Sequence, residues 1–262
     1  MRTTWPPLDT HAHIDVVIPA IDLLELRAVV FAASRSLAES RQAISRQPKD
    51  LLTVWGLGLH PGVRTALDGF DPDEFSALLD RTAYVGEVGL DGKVKSRLTQ
   101  QRTLLSSVLT MLQERPRMTS LHSYGATKEL IEELERTPIK GTVLHWWQGD
   151  RATTERAVEL GAYFSVNAAG LRRGEASGAI PLDRLLLETD HPNGNRASPA
   201  PRQPGHVSDV EAALADRYDL TSAALRERTW RNLRRLVDDA GCGHLLPTRV
   251  RSILKAVHQD DG

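Results

Sequence analysis

Eight short apolar runs separated by longer polar stretches constrain this chain more than any other feature. The runs cover residues 7–11, 28–34, 52–59, 83–88, 118–121, 141–144, 162–166 and 184–188. They lack the strict two-residue alternation of a half-solvated sheet, as strands buried on both faces should. Val29-Val30-Phe31 and Tyr163-Phe164-Ser165-Val166 are β-branched and aromatic, which argues against an all-helical chain. Helix-forming segments lie between the runs at 37–47, 72–81, 97–115, 127–136 and 151–160, the last stopped by Gly161. The first helix, near 19–27, and the seventh, near 174–179, are expected to be stunted, and a closing helix falls near 207–218 or 223–240. Eight strands alternating with helices predict an α/β fold of the (β/α)8 TIM-barrel type. A doubly wound sheet would show the same alternation, but no glycine-rich phosphate loop follows a strand here. The barrel is expected to span 1–240, with 241–262 as a tail carrying a short helix over 249–258.

Composition narrows the class. With 262 residues, 40% of them hydrophobic, the chain can build one barrel of this kind. A formal net charge of -1 excludes the strongly basic surface of a non-specific nucleic-acid binder, though not a local basic face. Cys242 is the single cysteine, so neither an intramolecular disulfide framework nor a thiolate-rich zinc site can form. Any metal must therefore rely on histidine and carboxylate. The N-terminal residues lack a secretory apolar run, and no stretch approaches the ~20 apolar residues of a spanning helix. A cytoplasmic location without membrane contact is the expectation.

The polar residues at the strand ends carry the chemistry. Strand one ends in Asp9, His11 and His13, strand three in His60, and strand four in Glu87 with Asp91 beyond it. Strands five, six and eight end in His122, His145 and Asp190. Five of the nine histidines thus fall at carboxyl ends of strands, which converge on one face of a parallel barrel. Alternate strand residues share a side, so His11 and His13 can hold one metal together. Imidazole and carboxylate suit zinc, manganese or iron, and carboxylate also suits magnesium. Glu87 can bridge two metals, with His122 and His145 holding the second. Asp190 can bind the first metal and act as general base. Two such metals would activate water and clamp a phosphoryl oxygen. His60 reads equally as a turn histidine, and Asp15 and Asp91 read as capping or supporting groups.

These residues resemble the TatD family of metal-dependent deoxyribonucleases, within the amidohydrolase-like barrels. The matching segments are Asp9-Thr10-His11-Ala12-His13-Ile14-Asp15, Gly58-Leu59-His60-Pro61, Gly86-Glu87-Val88-Gly89-Leu90-Asp91, Leu121-His122-Ser123, Leu144-His145-Trp146-Trp147-Gln148-Gly149 and Leu187-Glu188-Thr189-Asp190-His191-Pro192. The resemblance implies a phosphodiesterase with two divalent metal ions, magnesium or manganese, zinc being a further candidate, and often a 3′–5′ exonuclease. On that pattern His11, His13, Glu87 and Asp190 match the first metal's ligands, Glu87, His122 and His145 the second's, and His60 a phosphate contact. Gly92 after Asp91 is similar to the QatD branch, a nuclease component of a bacterial anti-phage system, and implies protein partners. The chain departs from the family at Ser123-Tyr124-Gly125-Ala126, where an arginine commonly stands after the serine, at Trp146-Trp147-Gln148, and after Asp190.

The loops after the strands are basic: Lys93, Lys95 and Arg97 after strand four, Arg172 and Arg173 after strand seven, Arg196 and Arg202 after strand eight. Such a patch suits DNA ends or single strands, with Trp146 or Trp147 stacking an unpaired base. Two alternatives share the barrel. One is a small-molecule amidohydrolase or lactonase, many of which bridge their metals with a carboxylated lysine at strand four, where this chain has Glu87. The other is a partner-dependent module of a defence complex.

Overall fold

The computed structural model describes residues 5–46, 51–174, 180–196, 198–199 and 201–259. All eight expected strands form: β1 Leu8–Ala12, β2 Val29–Ala32, β3 Thr53–Trp55, β4 Tyr84–Gly89, β5 Met118–His122, β6 Thr142–Leu144, β7 Tyr163–Val166 and β8 Leu185–Leu187. Neighbours pair in parallel in two runs, β1-β2-β3 and β4 through β8. Backbone hydrogen bonds join the runs. Leu57 N–H donates to the Tyr84 carbonyl at 3.0 Å and Gly86 N–H to the Leu57 carbonyl at 2.9 Å, carrying β3 onto β4. Asp190 N–H donates to the His11 carbonyl at 2.8 Å and His13 N–H to the His191 carbonyl at 2.9 Å, carrying β8 onto β1. The ring closes, and the fold is a (β/α)8 barrel.

Burial explains the unbroken apolar runs. Val29 and Phe31 of β2 enter one apolar cluster while Val30 and Ala32 enter another. Leu186 of β8 likewise parts from Leu185 and Leu187. Each fully buried aliphatic side chain contributes about 1.5–3 kcal/mol, so a polar residue facing either way would forfeit that gain.

The helical shell comprises α1 Ala20–Glu25, α2 Leu37–Arg46, α3 Arg64–Asp68, α4 Pro72–Leu79, α5 Leu98–Glu114, α6 Thr127–Arg136, α7 Arg151–Glu159, α8 Ala168–Arg173, α9 Ser208–Arg217, α10 Ser222–Ala240 and α11 Thr248–Gln259. Local chemistry sets their starts. The Asp71 carboxylate accepts from Asp73 N–H at 2.9 Å and Glu74 N–H at 3.2 Å, with Pro72 at the first helical position. A cap of this kind stabilises a helix by ~1 kcal/mol. Both candidate closing helices form, and α3 is a short helix that the pattern did not announce.

A helix, α8, already stands after β7, ahead of the expected stretch near 174–179. It begins after Asn167, whose side chain accepts from Gly170 N–H at 2.9 Å, and stops at Gly174, which takes the left-handed conformation at φ 71°. Arg172 and Arg173 therefore lie in its last turn rather than in a loop. The expected stretch 175–179, and Gln47 at the expected end of α2, lie outside the described residues. Beyond α10, Cys242, Leu246, Val250, Leu254 and Val257 bury themselves against Trp230 and Leu233. No described helix is long and apolar enough to cross a membrane.

Candidate metal centre

Glu87 stands at the hub of the barrel's carboxyl-terminal face, 1% exposed, with its two oxygens turned toward different histidines. Oε1 lies 3.0 Å from His13 Nε2 and 3.0 Å from His60 Nε2. Oε2 lies 3.0 Å from His122 Nδ1 and 2.8 Å from His145 Nε2. On the His13 side, Asp190 Oδ1 is 3.7 Å from His13 Nε2 and 3.8 Å from His11 Nε2. The rings of His11 and His145 stack 4.1 Å apart, bringing the two halves into contact. The six expected ligands His11, His13, Glu87, His122, His145 and Asp190 therefore meet in one cluster. Three overlapping groups of donors stand close enough to hold an ion: His11 with Glu87 and His145, His11 with His13 and Asp190, and His13 with His60 and Glu87.

The outer hydrogen bonds say which ring nitrogens are free. His13 Nδ1 lies 3.1 Å from the Ala33 carbonyl, which can only accept, so this nitrogen carries a proton and Nε2 is the one turned to Glu87; burial disfavours charge on the ring, but Glu87 raises it above its usual value. His11 Nδ1 is held by Ser120 Oγ at 2.7 Å, and His11 Nε2 is buried without a hydrogen-bond partner. His60 is the reverse. Its Nδ1 accepts from Gly62 N–H at 2.9 Å, so its Nε2 carries the proton and donates to Glu87. His60 thus combines a turn role with a contact at the site, and its protonated Nε2 fits a donor better than a ligand.

Burial and charge set the protonation states. Burial alone would raise the Glu87 carboxyl, but His60 and His145, with His122 and His13, hold it well below the ordinary value. Burial pushes Asp190 up to about 7, against the pull of His145 and His13. Burial lowers His60 to about 4, outweighing the attraction of Glu87, so its ring is neutral near pH 7. Burial also disfavours charge on His145, but Glu87 and Glu188 overcome it and raise that ring well above its usual value. A proton shared among these groups at neutral pH is one that a bound cation would displace.

Sequence reasoning gave no role to Glu188, which is fully buried beside the cluster. Its Oε1 accepts from Asn167 Nδ2 at 2.8 Å and Trp146 N–H at 3.0 Å, and lies 3.8 Å from His145 Nδ1, while Ser165 Oγ donates to Oε2. It stands behind His145 without a hydrogen bond to it, and it holds Trp146 at φ 41°, a conformation that costs a bulky residue on the order of 1–3 kcal/mol. The available signal was a carboxylate directly ending the apolar run Leu185-Leu186-Leu187. Ser120 and Ala33 support His11 and His13 through hydrogen bonds, and a backbone carbonyl such as that of Ala33 leaves no sequence signal at all.

The cluster opens into a cavity of about 290 Å³. Trp146, Arg173, Lys93 and Arg196 line it. Arg173 lies 5.8 Å from the centre of the Trp146 ring. Trp147 turns away: it is buried against Phe164 and donates from Nε1 to Thr154 Oγ1 at 2.8 Å. Arg172 and Arg202 are exposed and do not line the cavity. Arg97 is drawn off to Asp68, 3.2 Å away. Asp15 accepts from Val17 N–H at 3.0 Å, in keeping with a capping role.

The donor set fits divalent metal. Donors bound at ~2.1 Å to one ion stand roughly 3–3.5 Å apart, slightly wider than the 2.8–3.0 Å of the Glu87 contacts. The unpaired buried Nε2 of His11 and the histidines backed by carbonyl, hydroxyl and carboxylate groups are the arrangement that metal-ligating imidazoles require. A carboxylate-centred histidine cluster at this end of a (β/α)8 barrel defines a metal-dependent hydrolase.

Comparison with known proteins gives the family. The model of the TatD related DNase family matches residues 8–238, and the chain belongs to that family. The uncharacterized metal-dependent hydrolase YcfH of Escherichia coli K12 is 28% identical over 218 residues, covering 76% of this chain and 77% of YcfH. The 3′–5′ ssDNA/RNA exonuclease TatD of Klebsiella pneumoniae (strain 342) is 29% identical over 219 residues, covering 77% of this chain and 83% of its own. Among solved structures, the TatD homolog YJJV of Escherichia coli K12 superposes with a TM-score of 0.74 at 23% identity, covering 87% of this chain and 96% of its own.

Proposed function

We propose that this chain hydrolyses phosphodiester bonds of DNA, at ends or in single strands, with two divalent metal ions, magnesium or manganese in the first instance. The observation that carries the reading is the split of Glu87: each oxygen faces its own pair of histidines, the arrangement a bridging carboxylate needs. His11, His13, Glu87 and Asp190 would hold one ion, and Glu87, His122 and His145 the other. Bound there, the ions supply Lewis-acid activation of water and charge neutralisation at the phosphoryl group.

The chain's own residues do the rest. Asp190, beside His11 and His13, would accept the proton from the attacking water once a bound ion has displaced its own. Neutral His60, whose single N–H lies against Glu87, would turn that N–H to a phosphate oxygen once Glu87 holds the ions. Trp146, held at the mouth by Glu188, presents a ring on which an unpaired base can stack, and Arg173 beside it adds positive charge. Relatives named as 3′–5′ ssDNA/RNA exonucleases support the substrate class.

The test is turnover on end-labelled single- and double-stranded DNA and RNA with each metal supplied, beside lactone and phosphotriester controls. Cleavage of the controls alone would move the chain to the small-molecule reading. The finer reading, a QatD-like component of an anti-phage assembly in the cytoplasm, rests on Gly92. Equal phage plaquing on hosts carrying the wild type or Glu87→Gln, each with its neighbouring genes, would remove that role.

A further inference from the structure

The loops after β4 and β5 touch backbone to backbone at the mouth. Gly92 N–H donates to the Tyr124 carbonyl at 2.7 Å, and a Cβ on Gly92 would stand 2.2 Å from the Gly125 carbonyl oxygen. Gly125 itself has φ +63°, which a side chain would strain. This glycine-to-glycine contact brings the flanking side chains together: the Lys93 ammonium lies 4.1 Å from the centre of the Tyr124 ring, and both residues line the cavity that holds Glu87.

Other contacts fix this corner. Lys93 N–H donates to Asp91 Oδ1 at 2.9 Å, Asp91 N–H donates to Gln101 Oε1 at 2.7 Å, and Asp91 Oδ2 lies 3.7 Å from His122 Nε2. One carboxylate thus pins the turn that carries Lys93 and also faces a candidate metal ligand. The cavity's arginines stand on other segments, Arg173 in the last turn of α8 and Arg196 after β8. Among the described residues, no carboxylate pairs with the Lys93 ammonium. The ring face covers one side of the ammonium and leaves N–H groups free to donate.

We propose that Lys93, held against the ring of Tyr124, is an anion-binding residue that grips a substrate phosphate, and that Tyr124 is its positioning residue. The phosphate's identity as part of DNA rests on the phosphodiesterase reading. The anion site itself does not.

The experiment separates the two. Manganese-supplied wild type, Lys93→Met, Lys93→Arg, Tyr124→Phe and Tyr124→Leu are compared for affinity toward inorganic phosphate. The same proteins are compared for the salt dependence of single-stranded DNA binding and for KM and kcat. Lys93 is exposed, so thermal midpoints should agree and folding does not confound the series. Lys93→Met should weaken phosphate binding about tenfold, as loss of one charge-assisted contact predicts. It should also reduce the salt slope by about 0.7 and act on KM more than on kcat. Lys93→Arg and Tyr124→Phe should rescue, because the charge and the ring face are what matter, while Tyr124→Leu should fall between. Phosphate affinity and salt slope unchanged in Lys93→Met would overturn the assignment, and Tyr124→Leu behaving as wild type would remove the positioning role. Lys93-dependent phosphate binding without cleavage of any nucleic acid would leave the anion site standing and overturn the phosphodiesterase reading instead.

Discussion

Replacing Glu87 by glutamine removes one charge from the hub and leaves its shape. The carboxylate contacts four imidazole nitrogens at 2.8–3.0 Å in a site that is almost fully buried. Opposite unit charges ~3 Å apart at an effective dielectric near 20 attract by about 5–6 kcal/mol. The amide's carbonyl dipole and local relaxation recover roughly half, leaving a loss on the order of 3 kcal/mol, or about a hundredfold in metal affinity. The loss falls unevenly. The His11 and His13 side retains Asp190, whereas the His122 and His145 side keeps no carboxylate among the six proposed ligands. Metal content should therefore drop from about two ions per chain to about one, the filling that two-metal hydrolysis cannot use. Turnover should fall at least about a thousandfold, because loss of a transition-state contact compounds loss of occupancy. Elemental analysis after gel filtration and single-turnover cleavage read the two effects separately. A Glu87→Gln protein that keeps both ions and cuts within tenfold of wild type would refute the bridge and the reasoning from the split of its oxygens.

Three further outcomes are expected. Glu188→Gln should weaken metal binding about 10- to 100-fold without removing a ligand, because His145 loses the charge behind its ring; a metal titration showing wild-type affinity would confine Glu188 to holding Trp146. Metal affinity should rise with pH up to about 7, because burial keeps the Asp190 proton bound to about that value and His145 is raised as well, so a binding cation must displace protons that higher pH removes. Calorimetry in buffers of different ionisation enthalpy measures the protons released, and flat affinity from pH 5.5 to 8 would contradict this protonation scheme. Arg173→Glu should weaken single-stranded DNA binding and flatten its salt dependence, while Arg172→Glu, outside the cavity, should do less; equal effects would mean that charge acts over the whole face rather than through the mouth.

By itself, the sequence determined the barrel and which histidines and carboxylates gather at its carboxyl-terminal face. Parallel strands covered on both faces are largely apolar, so most of the eight leave a local run, as Val29–Ala32 and Leu185–Leu187 do, although β1 Leu8–Ala12 buries Asp9, Thr10 and His11. The side chains just past those runs must converge, because parallel strands of one barrel end on one face. His122 and His145 could therefore be assigned to the same place as Glu87 without any knowledge of distance. Short helices were harder to read: α8 depended on the Asn167 cap and the Gly174 stop rather than on a periodic stripe.

Only the tertiary structure decided how those residues divide the work. Which Glu87 oxygen meets which ring, and that Ala33 fixes His13 through a bare carbonyl, are contacts between separate segments, while the turn bond from Gly62 N–H to His60 depends on the ring's rotamer. Backbone partners and rotamers carry no residue-type signature. The same holds for the two tryptophans, identical in the sequence pattern, of which Glu188 turns Trp146 to the mouth while Phe164 and Thr154 bury Trp147. The basic loops were legible as charge but not as position. Arg97 was taken by Asp68 and Arg202 lay off the cavity, while Lys93 reached the mouth only because two glycines let their loops touch.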